Sequence, residues 1–272
     1  MNAHDEIISS IKHPAVVGAR KGLGQLGKRR PTTFLVDGHH LVSQALASRA
    51  PIEAAFFLHP VEHTEERDLL EHARRAGVPR HLVSRGVFFK ILGLGYETAV
   101  RVLAVVKRPA SASPAEFVTG EACLLVGERI RDPRNVGVLV RTADAWGLPG
   151  AVFSEDSADP YSRGSVRSST GSIFRVPVAL AAHLVECLEG LKAKSLRIIG
   201  TSARAAVPSW QADLTGSCAI VLGSEAAGLS PEVFEVCDDL ITIPMAGGAR
   251  SLNVTVAAGI ILYERARQRR AR

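Results

Sequence analysis

The 272 residues carry 33 lysines and arginines against 27 acids, a formal charge of +6 that suits a polyanionic partner. Hydrophobic residues make up 46% of the chain, enough for a sizeable core, while aromatics at 5% argue against any nucleic-acid contact dominated by stacking on rings. No apolar run is long enough to span a bilayer and no signal-peptide pattern opens the chain, so a cytoplasmic protein without a membrane segment is expected.

Residues 1–30 read as a flexible basic arm. Lys21, Lys28, Arg29 and Arg30 cluster there, and Lys28, Arg29 and Arg30 are candidate RNA contacts. Gly22-Leu-Gly-Gln-Leu-Gly27 matches the G-x-G-x-x-G dinucleotide fingerprint. That fingerprint needs a strand before it and a helix after it. Polar, basic sequence precedes it here and Lys28-Arg29-Arg30-Pro31 follows, so the nucleotide reading is set aside.

Residues 31–107 read as a small α/β layer. Strands are expected at 34–36, 54–58 and 100–106, with helices at 38–49 and 65–76. His59 and His63 are close, but Pro60 opposes a helix across the pair, so no metal site is expected. The composition breaks at Lys107-Arg-Pro-Ala-Ser-Ala-Ser-Pro114, which predicts a linker over 108–119.

From residue 120 to 272, apolar runs at 123–126, 150–153, 197–200, 218–222 and 240–243 alternate with helical patterns at 135–146, 180–194 and 231–236. That alternation predicts a parallel sheet covered by helices on both faces. Ligands of such sheets bind outside the carboxyl ends of the strands. The four cysteines, Cys123, Cys187, Cys218 and Cys237, have no zinc-site spacing, and three sit in apolar surroundings as small core residues.

Three blocks in this half carry chemistry-bearing residues. The first runs from Glu128 to Gly147. Asn135 can cap the helix there, and Arg141 follows six residues later among Val136, Leu139, Val140 and Ala143. An arginine on an apolar face calls for an anion or a carboxylate partner, and a structural ion pair is the simpler alternative. The second is Gly223-Ser-Glu-Ala-Ala-Gly-Leu-Ser-Pro231, where glycines permit tight turns and close approach of a ligand, with Glu225 between them. Thr201 and Ser202 end a neighbouring strand. The third starts as a strand at Ile243, breaks at Gly247 and Gly248, and continues as a helix opened by Ser251 and Asn253. Alone it is an ordinary capped helix. In company with the other two it is a ligand-facing helix start. Arg265, Arg267, Arg269, Arg270 and Arg272 at its far end read equally as helix-end cations or as RNA contacts.

Asn135-x5-Arg141, Gly223-x-Glu225-x2-Gly228-Leu229 and Ile243-Pro-Met245-x5-Ser251-Leu-Asn253 together resemble the SpoU/TrmH family of ribose 2′-O-methyltransferases, over roughly residues 120–265. The stretch Asp159-Pro-Tyr-Ser-Arg-Gly-Ser-Val-Arg-Ser-Ser-Thr-Gly171 is also similar to the family. Phe34-Leu-Val-Asp-Gly-His-His-Leu-Val42 resembles the L30e-like RNA-binding domain that many members carry in front.

The resemblance implies an α/β fold with a deep C-terminal trefoil knot, S-adenosylmethionine bound in the knot, and a homodimer with active sites at its interface. It also implies an RNA substrate, ribosomal RNA favoured over transfer RNA, and no metal. Arg141 then matches the catalytic arginine, as a base or as a stabiliser of the developing alkoxide, with Asn135, Glu225, Ser251 and Asn253 around it. Thr201, Leu222, Gly223, Ser224, Ile243, Met245, Ser251, Leu252 and Asn253 match the cofactor pocket. Arg131, Arg134 and Arg167 are the phosphate contacts expected in this half. Thr255 stands where the family commonly has serine, a change expected to be neutral. A factor that had lost its chemistry would lack Arg141, Glu225 or Asn253, and all three are present. Relatives that methylate a base lack the Ser-Leu-Asn block.

Overall fold

The computed structural model describes residues 6–26, 31–93, 98–110 and 112–271. They divide into two compact units, Met1–Pro109 with Tyr161–Arg167, and Ala110–Pro160 with Ser168–Arg272.

The first unit contains α1 (Pro14–Gly22), β1 (Thr33–Asp37), α2 (His39–Ala47), β2 (Ile52–Leu58), α3 (Thr64–Arg75), β3 (Arg80–Val83), α4 (Arg85–Leu92) and β4 (Val102–Lys107). Its sheet has the order β1-β4-β2-β3, with β4 antiparallel to both neighbours and β3 parallel to β2. All of β1 and all but the last residue of β4 are buried, as their unbroken apolar runs require. Phe56, Phe88, Leu103 and Val105 form the centre of the core.

Residues 8–22 are not the free arm expected from their charge. Val16 and Ala19 of α1 lie in that core, and Ile8 pairs with Val83 as a short parallel extension of the sheet. Two buried apolar positions three residues apart outweigh the surrounding lysines and arginines. Gly22 closes a helix instead of following a strand. Lys28, Arg29 and Arg30 lie outside the described residues.

The second unit contains β5 (Cys123–Gly127), α5 (Pro133–Ala145), β6 (Ala151–Ser154), β7 (Val178–Ala181), α7 (Leu184–Lys192), β8 (Arg197–Thr201), β9 (Val207–Pro208), β10 (Cys218–Leu222), α8 (Pro231–Val236), β11 (Asp239–Thr242) and α9 (Val254–Arg270). The short helix α6 (Arg163–Ser169) straddles the division between the units. The sheet order is β7-β6-β5-β10-β8-β11-β9, and every pairing is parallel. Leu124, Val126, Ala219 and Val221 project into a core completed by Leu184, Leu188 and Leu191 of α7 and Val233 of α8. On α5, Val136, Leu139, Val140 and Ala143 are fully buried, and α5 packs against α9. Each fully buried leucine, valine or isoleucine contributes about 1.5–3 kcal/mol.

Boundaries shift where punctuation outranks periodicity. The helix expected at 135–146 begins at Pro133, because Asp132 caps it and proline suits the first helical position. The helix expected over 180–194 begins as a strand, β7, and turns helical only at Leu184. Among the described residues no helix is long and apolar enough to cross a membrane.

Candidate active site

Three adjacent parallel strands, β10, β8 and β11, end together at Leu222, Thr201 and Thr242. Leu222 is buried, and the Thr201 hydroxyl donates to the carbonyl of Val221 at 3.0 Å. Ile243, Met245 and Leu252 are half-buried along the segment leaving β11, whereas Gly247, Gly248 and Ser251 are exposed. Carboxyl strand ends of a parallel sheet, bordered by half-buried apolar side chains and free backbone, suit a flat heteroaromatic ligand.

The loop after β10 closes on itself. A Cβ at Gly223 would overlap the backbone of Gly228 and Leu229, and Gly228 has φ +71°. Glycine at 223 is therefore required by the chain's own return. Ser224 and Gly228 exchange backbone hydrogen bonds of 3.2 and 2.8 Å, and the Ser224 hydroxyl accepts from Ala227 N at 3.1 Å. Glu225 stands exposed on this small closed turn.

Glu128, which the sequence reading passed over, clamps the loop at both ends. Its backbone N–H donates to Leu222 O at 2.8 Å, and its Oε2 accepts from Ser230 N at 2.9 Å. The carboxylate is buried and also pairs with Arg129 at 3.2 Å.

Asn135, Glu225 and Asn253 come together from three distant segments. Asn135 Nδ2 donates to Glu225 Oε1, and Asn253 Nδ2 donates to Asn135 Oδ1 at 3.3 Å. Asn253 is the N-cap of α9, its Oδ1 accepting from Thr255 N at 2.9 Å and from the Thr255 hydroxyl at 2.6 Å. Ser251 does not open this helix; it lies in the preceding loop. Nor does Asn135 cap α5. Asp132 does, with Oδ1 accepting from Arg134 N at 2.8 Å, which leaves the Asn135 side chain available to Glu225.

Arg141 is exposed on α5, and its side chain makes no hydrogen bond or ion pair with a described residue. The expectation of an arginine on the apolar face fails for a geometric reason. Val136, Leu139, Val140 and Ala143 follow the i, i+3, i+4, i+7 stripe, and the next residue after Val140 turns about 100° further from it.

The expected phosphate contacts are engaged within the chain. Arg134 forks onto Asp132 at 2.9 Å, and this hydrogen bond holds the Asp132 carboxyl below its ordinary range. Arg131 lies 3.7 Å from Asp156. Arg163 and Arg167 each reach the buried carboxylate of Asp37 at 2.7 Å. At the C-terminal end of α9, Arg265 is buried and donates to the carbonyls of Leu214 and Gly216. Arg267 pairs with Glu264 at 2.8 Å and Arg269 with Glu121 at 3.2 Å. The Arg267 hydrogen bond, then that of Gln268, pulls the Glu264 carboxyl down to about 2. These pairings favour the structural reading of the C-terminal arginines.

Residues 122–263 match the SpoU rRNA Methylase family. The chain is 29% identical over 256 residues to the 23S rRNA (guanosine(2553)-2′-O)-methyltransferase RlmP of Bacillus subtilis (strain 168), covering 94% of this chain and 97% of that protein. It is 40% identical over 148 residues to the 23S rRNA (guanosine-2′-O-)-methyltransferase RlmB of Vibrio vulnificus (strain CMCP6), covering 54% of this chain and 60% of that protein. The crystal structure of the SpoU methyltransferase AviRb from Streptomyces viridochromogenes, in complex with the cofactor AdoMet, superposes with TM-score 0.80 at 29% identity over 94% of this chain and 99% of that one. The all-parallel sheet flanked by helices is consistent with the knotted fold of these enzymes. The chain belongs to the SpoU rRNA methylase family, and is a methyltransferase whose cofactor is S-adenosylmethionine.

Proposed function

We propose that this methyltransferase modifies a ribose 2′-hydroxyl in 23S ribosomal RNA, in the cytoplasm and as a homodimer. The observation that carries the reading is the hydrogen-bonded trio Asn135, Glu225 and Asn253, assembled beside the strand ends of β10, β8 and β11. The 23S rRNA 2′-O-methyltransferase activity of RlmP and RlmB supports the ribose and the ribosomal RNA.

Thr201, Leu222, Gly223, Ser224, Ile243, Met245, Ser251, Leu252 and Asn253 are the residues that would hold the cofactor. The half-buried Ile243, Met245 and Leu252 offer apolar walls, and the strand ends offer backbone groups to read the edge of an adenine. S-adenosylmethionine, when bound, supplies an electrophilic sulfonium methyl.

The chain's own part is to present the hydroxyl. Arg141 carries an exposed guanidinium with no internal partner among the described residues. A guanidinium is a poor base and a good donor to oxyanions, so Arg141 orients the ribose beside its phosphate and stabilises charge developing on the attacking oxygen. Glu225, held by Asn135, offers an acceptor for the hydroxyl proton. Fixing the hydroxyl in line with the methyl supplies a large part of the rate.

The first unit, L30e-like in its signature, grips folded RNA by shape and charge. Dimerisation is supported by α9, where Val256, Ile260 and Tyr263 are 49%, 38% and 63% exposed at i, i+4 and i+7. Trp146 extends this patch, with its ring centroid 6.3 Å from that of Tyr263. A second copy covers such a stripe by a two-fold, self-complementary contact.

The test is methylation of 23S ribosomal RNA with isotopically labelled S-adenosylmethionine, followed by nuclease digestion and mass spectrometry of the nucleosides. A 2′-O-methylated nucleoside is expected. Label found on a base, or in transfer RNA and not ribosomal RNA, would overturn the reading.

A further inference from the structure

Thr255, at the second helical position of α9, has no role among the residues assigned above, yet its side chain anchors the amide relay. An amide oxygen has two lone pairs. Asn253 Oδ1 gives one to the Thr255 backbone N–H at 2.9 Å and the other to the Thr255 hydroxyl at 2.6 Å. The face that Asn253 turns to Asn135 is then Nδ2, which reaches Asn135 Oδ1 at 3.3 Å. Asn135 is turned in its own right to donate from Nδ2 to Glu225 Oε1, a carboxylate oxygen that can only accept. Donors therefore run one way, from Thr255 through Asn253 and Asn135 to Glu225.

The two bonds from Thr255 do different things. The backbone N–H satisfies the helix cap by itself. Without the hydroxyl the asparagine amide, whose terminal torsion is broad, is held only by that bond and by the long 3.3 Å bond to Asn135. The hydroxyl adds a second and shorter bond to the same oxygen, which fixes the amide plane. A serine would bring the same hydroxyl, so a Thr–Ser exchange is expected to leave the lock in place.

Building on the assignment of Asn135, Glu225 and Asn253 to the active site, we propose that Thr255 is a positioning residue whose hydroxyl locks the Asn253 amide and thereby aligns Asn135 and Glu225 for methyl transfer.

The experiment compares the full-length wild type with Thr255→Val, Thr255→Ser and Asn253→Ala. Three quantities are measured: the rate of methylation of 23S ribosomal RNA at saturating cofactor, the melting midpoint, and the side-chain amide resonances of Asn135 and Asn253 in ¹H–¹⁵N spectra. Thr255→Val is expected to lower kcat about fivefold, the effect of one net hydrogen bond. Its midpoint stays unchanged because the backbone cap remains. Both amide resonances shift in Thr255→Val and return in Thr255→Ser, which recovers the wild-type rate. Unmoved resonances, or a wild-type rate in Thr255→Val while Asn253→Ala is impaired, overturn the positioning role. So does an equal fall in midpoint and rate for Thr255→Val with no recovery in Thr255→Ser. A wild-type rate in Asn253→Ala overturns instead the site assignment on which the inference rests.

Discussion

Arg141 and Cys237 show how a single side chain's surroundings set what it can do. Arg141 projects from α5 with its guanidinium uncommitted, opposite a face that is fully buried. Removing it costs the fold little, because it contributes neither burial nor a hydrogen bond. Arg141→Ala should therefore lower methyl transfer about 10²–10³-fold, the usual effect of losing an oxyanion donor, with S-adenosylmethionine affinity within about twofold of wild type. Turnover and calorimetric titration check the two halves separately, and an undiminished rate would remove Arg141 from the mechanism. The motif spacing singles out Arg141 in the sequence, but not its exposure, because apolar neighbours in sequence are not neighbours on one helix face. The relay through Asn253 and Asn135 was less legible still. Their types and order are in the motifs, but which oxygen faces which donor is decided by contacts across 90 and 118 residues of chain. Cys237 gives a consequence for pH. Burial, then the neighbouring Asp238 carboxylate, pushes its thiol from the ordinary 9.0 up to about 11. The unfolded chain ionises at the lower value and the folded chain at the higher. The thiol's contribution is therefore fully present below pH 9 and is lost as pH rises through about 11. Between those values the wild type should lose more stability in chemical denaturation than Cys237→Ala does, and identical pH slopes would refute the assignment.

Loops are held by the elements they leave, and Glu128 does this for the loop bearing Glu225. It sits just past β5 and fixes the loop's start through Leu222 O and its end through Ser230 N. Glu128→Ala removes the acceptor for Ser230 N and the carboxylate partner of Arg129. The expected cost is about 1–3 kcal/mol, the price of leaving such groups unsatisfied. Activity should fall with it as the Glu225 turn loosens, and Glu128→Gln, which keeps an acceptor oxygen, should fall between. Urea denaturation and turnover measure both effects; a midpoint for Glu128→Ala equal to that of the wild type would refute the clamp. The central strands β5 and β10, and the middle of β8, are readable as apolar runs because burial on both faces leaves no room for polar residues. Edge and short elements are not. β9 has two residues, and β7 runs into α7 with only Ala182 and His183 between them, so its apolar residues merge with the helical pattern. In the first unit, β3 and α4 were missed, since Arg80-His-Leu-Val83 is too short and too polar to register as a buried strand.

At the scale of the molecule, alternating strands and helices announce an α/β fold with a parallel sheet, and the second unit has one of seven strands. The order in which the seven strands lie side by side was not readable, because a crossover connection leaves no periodic trace in composition. The same holds for Tyr161–Arg167, which group with the first unit although they lie within the second half of the chain. Dimerisation follows a clearer physical argument. The inner face of α9 is committed to the core through Ala258, Ile261 and Leu262, yet Val256, Ile260 and Tyr263 on its outer face remain exposed. An amphipathic helix should be polar on its solvent side. Three large apolar groups in register, joined by Trp146, instead mark a face built for contact. If a second copy covers it, Ile260→Glu and Tyr263→Glu each place a charge at the centre of the contact while leaving the buried face of α9 intact. Analytical ultracentrifugation should then find the wild type as a dimer and both variants as folded monomers with unchanged circular dichroism. Methylation should fall together with the dimer fraction as either variant is diluted, since the active sites are proposed to lie at the interface. A wild type that sediments as a monomer at concentrations where it methylates RNA would refute the dimer, and full activity in a strictly monomeric Tyr263→Glu would separate dimerisation from catalysis.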